Sequence, residues 1–174
     1  MTALLVTYLF SIVILLAVCL TLLSSIVRGA PYVPTDSKKV KLMVALAEVR
    51  PGEKALDLGS GDGRIVIAMA QAGAEAHGCE INPFLVLWSR RKVRRAGLTG
   101  RAFIHWTSFW RKDLSSFKVI TVFGIPYIMT GLEEKLRQEL KADARVISFV
   151  FQFPTWPLTR GEDKVYLYRI EGQR

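Results

Sequence analysis

The chain is poor in residues that carry metal and redox chemistry: its 174 residues include two cysteines and two histidines. Cys19 falls inside an apolar run and Cys79 in an expected strand, so a disulfide between them is geometrically implausible. So few ligands also exclude a structural zinc site, and no metal is implied. Free thiols suit a reducing compartment such as the cytoplasm. Acidic residues are scarce as well, 15 against 24 Lys and Arg, which leaves a net charge of +9. No internal repeat or low-complexity tract breaks the chain, and Ala3 to Val27 holds no charged side chain at all.

That uncharged stretch, rich in Leu, Val and Ile, would span roughly 37 Å as a helix at about 1.5 Å per residue. A bilayer's hydrocarbon core is about 30 Å thick. A cleaved signal peptide fits poorly, because a basic start is missing, the run is too long and Arg28 sits where a small residue is needed before the cut. The stretch is therefore read as one transmembrane helix, with residues 1–30 as anchor and linker and 31–174 as the folded domain. Arg28, Lys38, Lys39 and Lys41 follow it, and nothing basic precedes it. The positive-inside rule then puts the domain on the cytoplasmic side. A basic domain so placed is drawn to anionic head groups, by about 1 kcal/mol per well-placed cation, or equally to nucleic acid.

Beyond the Pro31 to Pro34 linker, hydrophobic periodicity alternates between two patterns. Helices are expected over Lys38 to Ala47, Gly63 to Ala72, Asn82 to Ala96 and Gly131 to Lys141. Asp36 or Ser37 is expected to cap the first, and Asn82-Pro83 to start the third. Strands are expected over Lys54 to Leu58, Glu75 to Glu80, Arg101 to Trp106, Val119 to Phe123 and Arg145 to Phe151. Alternation of this kind predicts an α/β fold with a parallel sheet covered on both faces. From Phe151 to Lys164 no helical pattern appears, and Pro154, Pro157 and Gly161 punctuate it. A parallel crossover usually needs a helix, so Lys164 to Ile170 is read as an antiparallel edge strand completing a six-stranded sheet.

The most informative stretch is Asp57-Leu58-Gly59-Ser60-Gly61-Asp62-Gly63-Arg64, a strand end, a turn with three glycines and a helix start. Glycine is needed where the chain takes φ > 0 or lets a ligand reach its backbone. Arg64 stands where a dinucleotide fingerprint would carry its third glycine, which argues against a nicotinamide cofactor. In an open α/β sheet the ligand lies beyond the carboxyl ends of the strands. The candidates there are Asp57 with the glycine loop, Glu80, Thr107-Ser108-Phe109 and Gly124-Ile125-Pro126-Tyr127. Glu80, nineteen residues past Gly61, is placed to hold a ribose diol. Asp57 either orders the loop, holds a cationic amine of the ligand through water, or simply caps a strand end.

Asp57 to Gly63 followed by Glu80-Ile-Asn-Pro83 resembles the class I, seven-β-strand S-adenosylmethionine-dependent methyltransferases. Pro31-Tyr-Val-Pro34-Thr35, Asp57 to Ile67, Glu80 to Val86, Phe109-Trp110, Val122 to Pro126, Asp143 to Ile147 and Phe151 to Pro154 are more specifically similar to the lysine N-methyltransferases of the adenine nucleotide translocase and the ATP synthase c subunit. The resemblance runs from Pro31 onward and implies a Rossmann-like methyltransferase sheet, mostly parallel with an antiparallel C-terminal edge, behind an N-terminal membrane segment. It implies S-adenosyl-L-methionine as cofactor, with Asp57, Gly59, Ser60, Gly61, Asp62, Gly63, Glu80, Ser108, Phe109 and Gly124 around it. Where relatives tend to carry an aspartate facing the adenine amine, this chain has Ser108, which accepts a hydrogen bond without charge assistance.

The implied reaction is methyl transfer to a lysine amine, on a protein at the membrane. Tyr127 is the candidate lining the acceptor channel, in a Gly124-Ile-Pro-Tyr127 segment that only partly matches the Asn/Asp-Pro-Pro-Tyr motif of other N-methyltransferases. Methylation of RNA or a small molecule, and non-catalytic cofactor binding at a membrane, are the alternatives. Arg90, Arg91, Lys92, Arg94 and Arg95 crowd one helix. They are read as a solvated face or as contacts to anionic lipid, with nucleic acid a distant third. Trp110, Phe153 and Trp156 are expected to wall the site.

Overall fold

A computed structural model of the chain describes residues 4–16 and 33–170. The chain divides into two compact units, Met1–Pro31 and Tyr32–Arg174. In the first, residues 4–16 form a helix, α1, with Thr7 and Ser11 hydroxyls donating back to the carbonyls of Leu4 and Thr7. Among the described residues no helix is long and apolar enough to cross a membrane. The rest of the expected span, residue 3 and residues 17–27, lies outside the described residues.

The second unit is a seven-stranded sheet in the order β3-β2-β1-β4-β5-β7-β6. Its strands are β1 Lys54–Leu58, β2 Glu75–Glu80, β3 Ala102–Trp106, β4 Val119–Val122, β5 Arg145–Phe149, β6 Arg160–Glu162 and β7 Val165–Arg169. The first five run parallel, and β7 lies antiparallel between β5 and β6. The helices are α2 Ser37–Leu46, α3 Arg64–Gln71, α4 Pro83–Arg95 and α5 Pro126–Glu139. Alternation along each strand assigns the two faces. Ala55 and Val119 join α2, α3 and α4 in one core through Met43, Leu46, Val66, Met69, Val86 and Val93. Leu56, Leu58, Ile120 and Val122 join α5 in the other through Met129, Leu132 and Leu136.

Asp36 caps α2, its side chain accepting from Lys38 N at 2.8 Å, and Asn82 caps α4 through Phe84 N and Leu85 N. Three expectations need correction. The sheet has seven strands, because Arg160–Glu162 folds back on β7 through Asp163 and Lys164, both at positive φ. A tight hairpin of that hand usually advertises itself with Asn-Gly or Asp-Gly, and Asp-Lys gives no such signal. Helix α5 starts at Pro126, five residues before Gly131, since proline needs no amide partner in a first turn. Phe153 and Trp156 do not wall the site: both are buried against Tyr168, with ring centroids 5.0 Å and 5.5 Å from it. Trp110 stays partly exposed, its ring tilted against that of Phe109 at 4.9 Å between centroids and close to Gly131 of α5.

Candidate functional site

Strand order reverses between β1 and β4, and the loops that leave their carboxyl ends cannot fill the gap between them. The glycine loop rises from β1 here. Gly59, Gly61 and Gly63 all have positive φ (77°, 51° and 79°), a region where side chains are strained. The amides of Gly59 and Ser60 donate to the Cys79 carbonyl at 3.0 and 2.9 Å, which binds the loop to the end of β2. A Cβ on Gly59 would meet nothing within 4 Å, so the loop's backbone is open to a ligand at this point.

Glu80 fastens the other side. Its Oε2 accepts from Gly61 N at 2.9 Å and its Oε1 from Asn82 N at 2.8 Å, so one carboxylate ties the glycine loop to the start of α4. Each oxygen keeps a second lone pair, which suits the two hydroxyls of a ribose. Asp57 lies beside it, almost fully buried, its Oδ1 accepting from the Thr121 hydroxyl at 2.7 Å across β1 and β4. Burial raises its pKa to about 7; the Thr121 hydrogen bond opposes this, and the Glu80 and Asp62 charges add to the rise.

Asp62 and Ser60 point elsewhere. The Asp62 carboxylate is buried and accepts from Arg64 Nε and Nη2, both at 2.9 Å, and from Lys92 Nζ at 2.6 Å. Burial alone would raise its pKa, and the Arg64 and Lys92 hydrogen bonds and charges overcome that and hold it at about 2. Arg64 Nη1 in turn donates to the Thr35 carbonyl at 2.5 Å, so the loop is clamped to α4 and to the segment before α2. Sequence reading missed this clamp, because Lys92 stands thirty residues from Asp62 and resembles its basic neighbours. Arg90 is committed too, donating to the Ile104 carbonyl from Nε and Nη2. The five cations are therefore not equally free: Arg90 is exposed but bonded, and Arg91, Arg94 and Arg95 are the exposed ones not committed to Ile104 or Asp62.

The Ser60 side chain is turned against Gly78 and Val66, and its Oγ is a buried atom with no partner. A Cβ at position 78 would sit 2.6 Å from Ser60 Cβ and 2.8 Å from Val66 Cγ2. Gly78→Val is accordingly expected to displace the loop and cost at least about 2 kcal/mol. Thermal unfolding should show a loss of that size, together with weakened cofactor binding; an unchanged melting temperature would refute the packing argument.

The third and fourth loops complete the crevice. Ser108 caps a short 3-10 turn, Phe109–Arg111, with its Oγ accepting from Trp110 N at 3.4 Å. Its hydroxyl proton remains available. Phe109 is half-buried. Gly124 follows β4, and a Cβ there would sit 2.6 Å from Met129 Sδ, so the backbone passes close under α5. Tyr127 is 68 % exposed in the first turn of α5, at the same end of the sheet. A cavity of about 360 Å³ lined by Arg50, Glu53, Lys118, Asp143, Arg145 and Arg169 lies at the opposite, amino end and takes no part in this arrangement.

A 3-2-1-4-5-7-6 sheet with a glycine loop after β1 and a carboxylate ending β2 is the architecture of class I S-adenosylmethionine-dependent methyltransferases. The chain belongs to the family of the ANTKMT methyltransferase domain, whose model matches residues 57–160. The mouse lysine N-methyltransferase of the ATP synthase c subunit is 43% identical over 148 residues, 83% of this chain and 60% of that protein. A protein-lysine N-methyltransferase of Saccharolobus islandicus (strain REY15A) is 36% identical over 156 residues, 84% of this chain and 97% of that protein. Among solved structures, an RNA methyltransferase from Salinibacter ruber in complex with S-adenosyl-L-homocysteine superposes with a TM-score of 0.79. It is 32% identical and covers 82% of this chain and 96% of its own. The match thus spans about three fifths of the mouse relative's length.

Proposed function

We propose that the chain is a protein-lysine N-methyltransferase that uses S-adenosylmethionine and acts on a membrane-associated protein. The observation that carries the reading is the agreement between the crevice and the relatives. Glu80, Asp57 and the open glycine loop fit a ribose and a cationic amino acid, and near-full-length similarity to a Saccharolobus islandicus protein-lysine N-methyltransferase supplies the acceptor class. The donor set fits the cofactor chemically: acceptor oxygens at Glu80 for hydroxyls, a carboxyl at Asp57 for positive charge, and a Ser108 hydroxyl with the half-buried Phe109 ring for a base. Gly59 and Gly61 bring the backbone close, Gly63 lets the loop pack on Ser89 of α4, Gly124 lets the chain after β4 pass Met129 of α5, and Asp62 and Ser60 hold the loop rather than the ligand.

When bound, S-adenosylmethionine supplies a methyl group on a sulfonium. What remains for the protein is to place a neutral amine within reach and keep water out. A free lysine has a pKa near 10.4, and burial beside a positive charge lowers it. No dedicated base is required. Tyr127, exposed at the mouth, is assigned to contact the incoming acceptor.

The uncharged run from Ala3 to Val27 supports a membrane anchor with the catalytic unit on the cytoplasmic side. An acceptor in the same bilayer would then be met by two-dimensional search. A second reading, methylation of RNA, is favoured by the Salinibacter ruber neighbour. Incubating purified enzyme and radioactive cofactor with membranes from a strain lacking the gene separates the two. Label is expected in a protein band that yields methyl-lysine on hydrolysis. Label in nuclease-sensitive material would replace the lysine reading with the RNA one.

A further inference from the structure

Helix α4 turns Val86, Ser89 and Val93 into the core. At about 100° per residue, Phe84, Leu87, Trp88, Arg91, Arg94 and Arg95 fall in the opposite arc, facing outward. Phe84 and Leu87 are each 65 % exposed and Trp88 49 %. Beside the first turn of α4, Trp106 at the end of β3 is 67 % exposed, and its indole N–H donates to the Ile81 carbonyl at 3.0 Å. The polar group of that indole is thus satisfied within the protein while its ring faces out. A soluble surface scatters its exposed apolar side chains; four large ones gathered in one place mark an interaction site.

We propose that this face docks on an anionic lipid surface. Its chemistry is divided along the helix. The first two turns carry Phe84, Leu87 and Trp88, and the last two carry Arg91, Arg94 and Arg95, with no acidic residue anywhere in α4. Aromatic and aliphatic side chains beside arginines of one sign are the composition of an interfacial helix, with rings at head-group level and guanidinium groups on lipid phosphates. The three arginines are the ones the fold leaves uncommitted, since Arg90 and Lys92 are spent on Ile104 and Asp62. Single-stranded RNA also stacks on exposed rings beside arginines. The aliphatic Leu87 offers no ring to stack on, and the uncharged run before Arg28 already favours a bilayer. The apolar half of the face lies at the crevice end of the sheet, so docking would hold the mouth at head-group level.

The test reads lipid contact, so its outcome is independent of methyl transfer. Full-length protein is mixed with vesicles of phosphatidylcholine, with or without phosphatidylglycerol, whose acyl chains are brominated. All four tryptophans lie at position 88 or beyond, so with excitation selective for tryptophan residues 1–31 contribute no emission. Emission is expected to be quenched in the anionic vesicles and largely spared in a Trp88→Phe/Trp106→Phe variant, which keeps the apolar surface. An Arg91→Gln/Arg94→Gln/Arg95→Gln variant should weaken docking roughly 100-fold, with an unchanged melting temperature showing that it folds. Absence of quenching in anionic vesicles would overturn the proposal, as would quenching that persists without Trp88 and Trp106. Quenching by a single-stranded oligonucleotide in place of lipid would overturn it in favour of nucleic acid.

Discussion

Replacing Glu80 with alanine is expected to weaken cofactor binding by at least about 100-fold, close to 3 kcal/mol. Two losses add. The carboxylate now satisfies the amides of Gly61 and Asn82. Without it two donors near the base of the crevice lose a charged acceptor, at about 1–3 kcal/mol each when left unpaired. The glycine loop then loses its tie to α4 on this side, while the Asp62 clamp to Lys92 and Arg64 remains. The fold should therefore survive with a loosened loop. The second loss is direct, since no other carboxylate ends a strand where a ribose would lie. Glutamine is not expected to rescue, because its amide nitrogen would face one of the two N–H groups that Glu80 now accepts from. Titration calorimetry with S-adenosyl-L-homocysteine on the wild type and both variants measures the effect. An affinity within threefold of wild type for Glu80→Ala would remove Glu80 from the site.

The parts of this site that could be read from the sequence are local ones. Asp57 to Gly63 announces itself because a buried strand, three closely spaced glycines and a helix start follow one another. Glu80 is found by counting from the loop to the next strand end. The parallel sheet followed from the alternation of periods, and the reversed β7 from the lack of a crossover helix between Phe151 and Lys164. What escaped depends on distant partners or lacks a compositional mark. Lys92 and Arg90 look like their neighbours on a basic helix, and only the packing of α4 on the loop and β3 shows that both are tied to partners within the fold. Ser60 reads as a ligand contact, yet Gly78, eighteen residues on, makes the hollow that receives its side chain. The rings of Phe153 and Trp156 find Tyr168 because β7 returns antiparallel beside β5, a pairing that residue types alone do not bring together.

Asp57 should make both stability and cofactor affinity depend on pH, in opposite directions. Its folded pKa of about 7 stands above the usual 3.8, chiefly through burial. The fold therefore prefers the protonated acid. That contribution is complete below about pH 4 and is lost as pH rises through 7, up to roughly 4 kcal/mol for a shift of this size. Asp62, held at about 2, is already ionised throughout this window and adds no slope. Asp57 alone should lower the melting temperature of the ligand-free protein between about pH 4 and 7, against an opposing rise from His77 and His105, whose imidazoles burial holds below their usual range, and Asp57→Asn should remove the Asp57 part of the slope and raise the melting point at pH 8. A cationic ligand reverses the preference, because a positive charge beside Asp57 favours its ionised form. Binding should then expel a proton near neutrality, and affinity should fall by up to about tenfold for each pH unit below 7. Calorimetry in buffers of different ionisation enthalpy counts that proton directly. In Asp57→Asn the proton should disappear and affinity should become low and flat with pH. A wild-type affinity that stays constant from pH 5.5 to 7.5 would show that Asp57 does not meet the cofactor's charge and serves only to bridge β1 and β4 through Thr121.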